Sequence, residues 1–373
     1  MIEVREVKTR RERKEFVDFP LKLYKGCPYF CPPLYGDEMA IFGSKNIYND
    51  TCETVYYNAY KDGVITGRIC GIIQKAANQK NNERRVRFGR FDSIDDQSVA
   101  DALFHAVESW AKAKGMDTAH GPLGFSDLER EGLLIDGFEE YSTFEEQYNY
   151  PYYQKLIEAN GYTKEVDWTE SKLTVPEGYD GDIEKLGDFV MKRYKLHLGP
   201  AKNVGDFINK YADGLFELID KSYNNLYGTV PFTDAMKKQM IDGFKFIVDL
   251  RYVAVILDEN DKMLAFGICF PSIINALRPS NGHITPGMLL RFLKAKRRPR
   301  VIDLGLVGVD PDYLNMGISA VFAAALMRML REDGIEYAET NLNLEDNYDI
   351  QNLWKHFGRT VHKRRRAFVK KLV

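Results

Sequence analysis

Apolar residues along this chain recur in two rhythms, and the order of those rhythms occurs twice. In the first half, the runs Thr54–Tyr60 and Gly67–Gln74 flank Lys61-Asp62-Gly63. Asp-Gly between two such runs marks a β-hairpin. A polar stretch, Asn78 to Arg85, separates the hairpin from a further strand, Val86–Asp92. A helix is predicted from about Asp96 to Lys114, because Val99, Leu103, Ala106 and Trp110 fall on one face and Gly115 ends it. A strand over Thr118–Phe125 follows, and a short helix over Tyr152–Asn160 stops at Gly161. In the second half, Tyr252–Leu257 and Met263–Phe270 flank Asp258–Lys262 as a second hairpin. A strand from Arg300 to Val309, a turn and a helix come next. Ile318, Phe322, Ala325 and Met329 share one face of that helix, at the same offsets as in the Val99 helix, and Gly334 ends it. A strand and a last short helix, Tyr348–Phe357, close the pattern at Gly358.

Pro and Gly in Val175–Asp182 break any regular element, so the chain is expected to divide into domains 1–175 and 176–373. The second half is expected to open on a strand, Phe189–Leu196, followed by a long helix, Val204–Tyr227. An insertion, Ser272–Arg298, carries the helix Pro286–Lys296.

Composition adds mainly exclusions. A net charge of −2 argues against a general nucleic-acid binder. No apolar run approaches the roughly 18 residues of a membrane span, so no membrane partner is expected. The N-terminal segment is charged and strand-like, unlike a signal peptide. The five cysteines have neither the spacing of a zinc site nor that of a disulfide scaffold, so no metal and a cytoplasmic location are expected.

The segment from Arg300 to Ala320 reads as strand, tight turn and helix start. That order can hold a pyrophosphate, because a helix start offers free N–H groups and a partial positive charge. On these residues the chain resembles the GNAT acyl-CoA N-acyltransferase superfamily. Members place an Arg/Gln-x-x-Gly-x-Gly/Ala loop between the fourth strand and third helix to cradle the pyrophosphate of coenzyme A. The aligned residues here are Leu314, Asn315, Met316, Gly317, Ile318 and Ser319. One glycine is kept, the Arg/Gln is leucine, and the last small position is serine.

The resemblance implies an α/β (α+β) fold of two GNAT-like domains, each a mixed, mostly antiparallel sheet flanked by helices. It implies acetyl-CoA or another acyl-CoA as co-substrate, with the pantetheine arm on the backbone of Leu306, Val307, Gly308 and Val309 and against Asn347. A backbone N–H near Val309 is expected to polarise the thioester carbonyl. The aligned first-half stretch, Phe91–Ser98, has no glycine and three carboxylates, so only the second domain is expected to hold the cofactor. Trp354 stands where the family has its acidic tyrosine, and an indole cannot protonate a thiolate. Ile157 stands there in the first half.

Glu339 and Asn343 are candidates for the catalytic base, sharing a face of one strand with Asn341 between them and Glu345 beyond. Ser126, in the turn-rich stretch His120–Asp127, and the aromatics Tyr223, Tyr227 and Phe232 are candidates for substrate binding. Arg291–Arg300 holds six basic residues and no acid, and His362–Arg366 is a second basic run. Both could meet the coenzyme's 3′-phosphate, an acidic partner or RNA, but read by default as solvated faces, the second also as edge protection. The implied activity is acyl transfer to a small-molecule amine, with oligomeric state open. The competing reading is a catalytically inactive GNAT-fold ligand-binding or regulatory protein, supported by Leu314, Ser319 and Trp354. A third, Fem-type transfer from aminoacyl-tRNA, is permitted by the basic runs.

Overall fold

The two hairpins lie toward opposite ends of one continuous sheet. A computed structural model describes residues 1–224 and 226–372. Among these, the strands are β1 (Ile2–Glu6), β2 (Cys52–Lys61), β3 (Val64–Gln74), β4 (Arg85–Ser93), β5 (Thr118–Gly121), β6 (Leu133–Asp136) and β7 (Thr163–Thr174). There follow β8 (His197–Leu198), β9 (Val253–Leu257), β10 (Met263–Pro271), β11 (Val301–Val309), β12 (Tyr337–Glu339), β13 (Asn343–Leu344) and β14 (Gly358–Lys371). The helices of the first half are α1 (Arg10–Leu23), α2 (Tyr35–Ala40), α3 (Lys75–Asn81), α4 (Gln97–Ala113) and α5 (Tyr152–Ala159). Those of the second are α6 (Asp182–Arg193), α7 (Val204–Tyr223), α8 (Asp234–Ile247), α9 (Ile274–Leu277), α10 (Pro286–Arg297), α11 (Ile318–Glu332) and α12 (Tyr348–Leu353).

The sheet runs β1-β2-β3-β4-β5-β14-β7-β12-β11-β10-β9-β8, an order that is pseudo-symmetric about its centre. β4 and β5 pair in parallel over Arg85–Arg87 and Thr118–His120. β11 and β12 do the same over Val301–Asp303 and Tyr337–Glu339. The two central strands are exchanged. β7, from the first half, pairs with β12 and β13. β14, from the second, pairs with β5 and β6. The break at 175–182 therefore separates stretches of sequence that complete each other's sheets.

Helix α4 forms where its pattern places it, capped by the Asp96 side chain, which accepts from the Ser98 N–H. Its face of Val99, Leu103, Phe104 and Val107 is fully buried against β2 and β3. Helix α11 does the same in the second half, with Ile318, Phe322, Ala323 and Met327 inward. The strand expected over Phe189–Leu196 is instead the end of α6 and the turn that follows it. Ile183, Gly187 and Val190 recur at helical spacing and form its buried face. Gly187 lets α6 approach α11 so closely that an added Cβ would lie 2.6 Å from that of Ala324. Phe189 points to solvent, 56% exposed.

The run His362–Arg366 is neither a solvated face nor a protected edge. It lies in β14, mid-sheet, where Lys363 and Arg365 are fully buried. Lys363 Nζ lies 2.5 Å from Glu170, 3.1 Å from Glu339 and 3.3 Å from Glu146. Arg365 Nε donates to Glu170 at 2.6 Å and its Nη2 lies 3.3 Å from Glu146. Burial would raise Glu170, but Arg365 and Lys363 overcome it and hold that carboxyl below the usual range. Burial and the neighbouring Glu170 push Glu146 well above that range. The partners lie in other segments, so the basic run alone could not reveal its own neutralisation.

Lys363→Met is expected to cost about 3–5 kcal/mol of stability, because it leaves buried carboxylates without their cation. Urea denaturation at neutral pH measures this, and an unchanged midpoint would contradict it.

Candidate functional site

β11 and β12 share only three pairs before they diverge beyond Asp303 and Glu339. From that point β12 turns away to β7, where Thr340 and Ser171 exchange hydrogen bonds. β11 continues along β10 with a bulge at Gly305. The side of β11 facing away from β10 therefore borders a gap between two strands. Val307 turns its backbone N–H and C=O into this gap. The Tyr223 hydroxyl donates to its carbonyl at 2.7 Å and accepts from its N–H at 3.3 Å. Val309, two residues on, points its backbone the same way, because peptide groups alternate along a strand.

The corresponding gap of the first half is filled. After His120 the chain turns back through a cis Gly121–Pro122 bond, and the Leu123 N–H donates to the Phe88 carbonyl at 2.9 Å. Arg87, buried, donates to the Gly124 and Gly228 carbonyls and holds the plug in place.

The open gap joins a cleft of about 2000 Å³. That is about twice the upper end of the roughly 300–1,000 Å³ usual for small ligands. One end holds Leu314, Asn315, Gly317 and Ser319 at the start of α11. Gly317 has φ of +73°, which turns a 3-10 segment, Pro311–Met316, into the helix. Leu314 is 51% exposed there. Met316 and Ile318 pack into the core beneath. Asp310 and Asp312, at the start of the turn, are both held by Lys221, at 2.6 and 2.8 Å. The middle of the cleft is apolar, walled by Leu306, Phe207, Phe216, Met240, Phe244 and Met288. The far end is acidic and belongs to the first half, with Asp127, Glu129, Glu131 and Glu145.

Glu145 is the carboxyl best placed for chemistry. It lines the cleft, and its Oε2 accepts from Asn341 Nδ2 at 3.2 Å. Asn341 follows β12 directly beyond the divergence. Burial raises the Glu145 carboxyl to about 7, against a smaller opposing pull from Arg130. Asp303, the last residue of β11 paired with β12, is buried, and neither of its oxygens has a hydrogen-bond partner among the described residues. Burial, then Glu339 and Glu145, push the Asp303 carboxyl well up. An acid inside the apolar strand of residues 301–309 was a visible signal for Asp303. Nothing in Thr143-Phe-Glu-Glu-Gln distinguishes Glu145.

The candidate bases Glu339 and Asn343 do not share a face, because the strand breaks between β12 and β13. Glu339 is tied to His362 at 2.6 Å and to Lys363. Asn343 Oδ1 accepts from Trp354 Nε1 at 2.7 Å, which orients the indole at the cleft wall. Asn347 lines the cleft while capping α12, accepting from the Ile350 N–H. Ser126 is fully buried and bonded to Tyr48, away from the cleft. Of the expected aromatic wall, Tyr223 and Tyr227 line the cleft. Tyr227 donates to Glu165 at 2.6 Å. Phe232 packs edge-on against Phe216, behind the surface. Asn225, in the same loop, lies outside the described residues. Of the run Arg291–Arg300, residues up to Arg297 belong to α10 and the rest lead into β11, whose nine residues put Arg300 roughly 25 Å or more from the Gly317 turn.

No family model matches the chain. Protein YghO of Escherichia coli strain K12 is 29% identical over 381 aligned positions, covering 99% of this chain and 95% of that protein. A bacterial ceramide synthase of Caulobacter vibrioides is 26% identical over 378 positions, covering 98% and 96%. Among solved structures, a tandem GNAT protein from the clavulanic acid biosynthesis pathway superposes with a TM-score of 0.57 at 12% identity. It covers all of this chain and 99% of its own. The chain has the tandem GNAT fold.

In terms of the GNAT fold, β11 and β12 are the fourth and fifth strands of the second half, and β4 and β5 are their counterparts in the first. An infrared pH titration of wild type against Glu145→Gln should show one carboxyl titrating near 7. A difference spectrum titrating at the ordinary value of about 4.3 would remove Glu145 from consideration.

Proposed function

We propose that this protein transfers an acyl group from a coenzyme A thioester to an amine, using the gap between β11 and β12. The observation that carries the reading is the contrast between the two gaps: one plugged by Leu123, the other open to a long cleft. Pantetheine would pair with the backbone of Val307 and Val309, replacing the Tyr223 hydroxyl, and the pyrophosphate would lie over the turn at Asn315–Ser319. The first half supplies the acceptor wall. Glu145, raised to about 7, is matched to taking a proton from an ammonium near neutral pH. The amine nitrogen then attacks the thioester carbon, the C–S bond breaks, and the second proton lost from the nitrogen passes through water to the leaving thiolate. Trp354, an indole bonded to Asn343, supplies no proton.

The acyl group in this reading is long. The apolar middle of the cleft suits a hydrocarbon chain. The Caulobacter relative carries the name bacterial ceramide synthase. The acceptor class proposed here is accordingly an amine with an apolar tail.

The test is thiol release from long-chain and acetyl-CoA, with sphingoid bases and polyamines as acceptors. Faster release with the long chain and the sphingoid base is expected. No release with any pair would favour the binding-module reading, which the occupied backbone of Val307 also suits. Glu145→Gln is expected to lower kcat by about 10²–10⁴ and to abolish the loss of activity below pH 7. A bell-shaped profile unchanged in that variant would exclude Glu145 as the base. Leu314→Arg puts a cation at an exposed position of the turn, and should tighten coenzyme A binding by about tenfold or more in calorimetry. Unchanged affinity would place the pyrophosphate elsewhere.

A further inference from the structure

Helix α10 carries large apolar residues on both faces. Met288 and Phe292 point inward, into a cluster with Ile247, Ile273 and Leu277. Leu289, Leu290 and Leu293 point outward and are 36%, 70% and 59% exposed, and Ile284, just before the helix, is 63% exposed. One buried face suffices to hold a surface helix, so a second apolar stripe on successive turns has no role in packing this chain. Phe246 of α8, 42% exposed, stacks on Phe292 with ring centroids 4.8 Å apart and extends the apolar surface.

Charge frames the stripe. At helical spacing Lys294 and Lys296 flank it on either side, and Arg297 follows Leu293 by one turn. Arg291 donates to the Ala276 carbonyl and Arg300 pairs with Glu336. Lys294, Lys296, Arg297 and Arg298 are in no ion pair among the described residues. No carboxylate occurs between Pro286 and Arg300.

A nucleic acid would use the cations and leave the leucines in water. A second copy docked through the same face would cover the leucines but would set its own cations against Lys294, Lys296 and Arg297. An anionic bilayer satisfies both sets at once. Leucines enter the boundary between headgroups and acyl chains, and basic side chains extend their stems along it to reach phosphates.

We propose that α10 docks the protein on the surface of an anionic bilayer, with Ile284, Leu289, Leu290 and Leu293 inserted and Lys294, Lys296, Arg297 and Arg298 among the headgroup phosphates. Met288 and Phe246 also line the cleft, so the docked face is the outer side of a cleft wall. The expectation of no membrane partner rested on the lack of a spanning segment. No helix among the described residues is long and apolar enough to cross a membrane, and lying on one needs none.

The experiment is co-sedimentation of the full chain with vesicles of phosphatidylcholine alone and of phosphatidylcholine mixed with phosphatidylglycerol, at low and raised salt. Wild type should pellet with the mixed vesicles, less so as salt rises. The double variants Leu290→Gln/Leu293→Gln and Lys294→Glu/Arg297→Glu should each weaken binding on the order of tenfold or more. Both replace exposed side chains, and thermal melts like that of wild type establish that they fold. The proposal is overturned if wild type stays in the supernatant with anionic vesicles, or if folded variants bind as wild type does. It is equally overturned if light scattering shows a dimer that Leu290→Gln/Leu293→Gln separates.

Discussion

Two cations in the middle of a sheet set the terms for the rest of this structure. Lys363 and Arg365 project from one face of β14 with no access to water, and carboxylates from β7, β12 and the loop between β6 and α5 close around them. Burying such groups gains little free energy over a well-packed apolar core, but leaving one unpaired is costly. The cluster therefore discriminates between arrangements. A one-residue slip of β14 would turn Lys363 and Arg365 to the opposite face and strand Glu170 without a cation. It fixes the pairing of β14 with β7, and these are the strands that the two halves exchange. Glu339 belongs to the same cluster and is the last paired residue of β12. The registration that joins the halves thus also fixes where β12 leaves β11.

The two halves then part ways on small differences. Both begin a gap after three parallel pairs. In the first, Gly121 lies so near β4 that an added Cβ would sit 2.2 Å from the Phe88 carbonyl, and the following turn closes the space. In the second, among the described residues, the tyrosine hydroxyl of α7 is what bonds the backbone of β11 at Val307. The first half keeps the scaffold and lends its loops, 127–131 and 144–145, to the neighbour's cleft.

Local patterns predicted the local elements well. Val99, Leu103 and Ala106 announced α4, and Gly317 announced the turn into α11, because helical spacing and a left-handed glycine are properties of adjacent residues. Phe189 misled because it opens a short apolar run, Phe189-Val190-Met191, which strands and buried helix segments share. The face that decides, Ile183, Gly187 and Val190, begins six residues earlier. The chemistry of the cleft was less visible. Lys363 and Arg365 read as solvent-facing because their counter-charges come from distant parts of the chain. Glu145 resembled any loop glutamate, since its altered acidity comes from what covers it, against the pull of Arg130. Glu339 lost its candidacy for the same reason: its partners are on β14.

The exchange of β7 and β14 also bears on synthesis. While the chain is being made, β5 stays an uncovered sheet edge until residues 358–371 emerge, and β7 waits for β12 and β14 alike. The first half therefore spends most of translation with a strand edge available to any other extended chain. A nascent polypeptide in that condition is a client for holding chaperones, and its yield in a cell depends on how they and the ribosome share that waiting time.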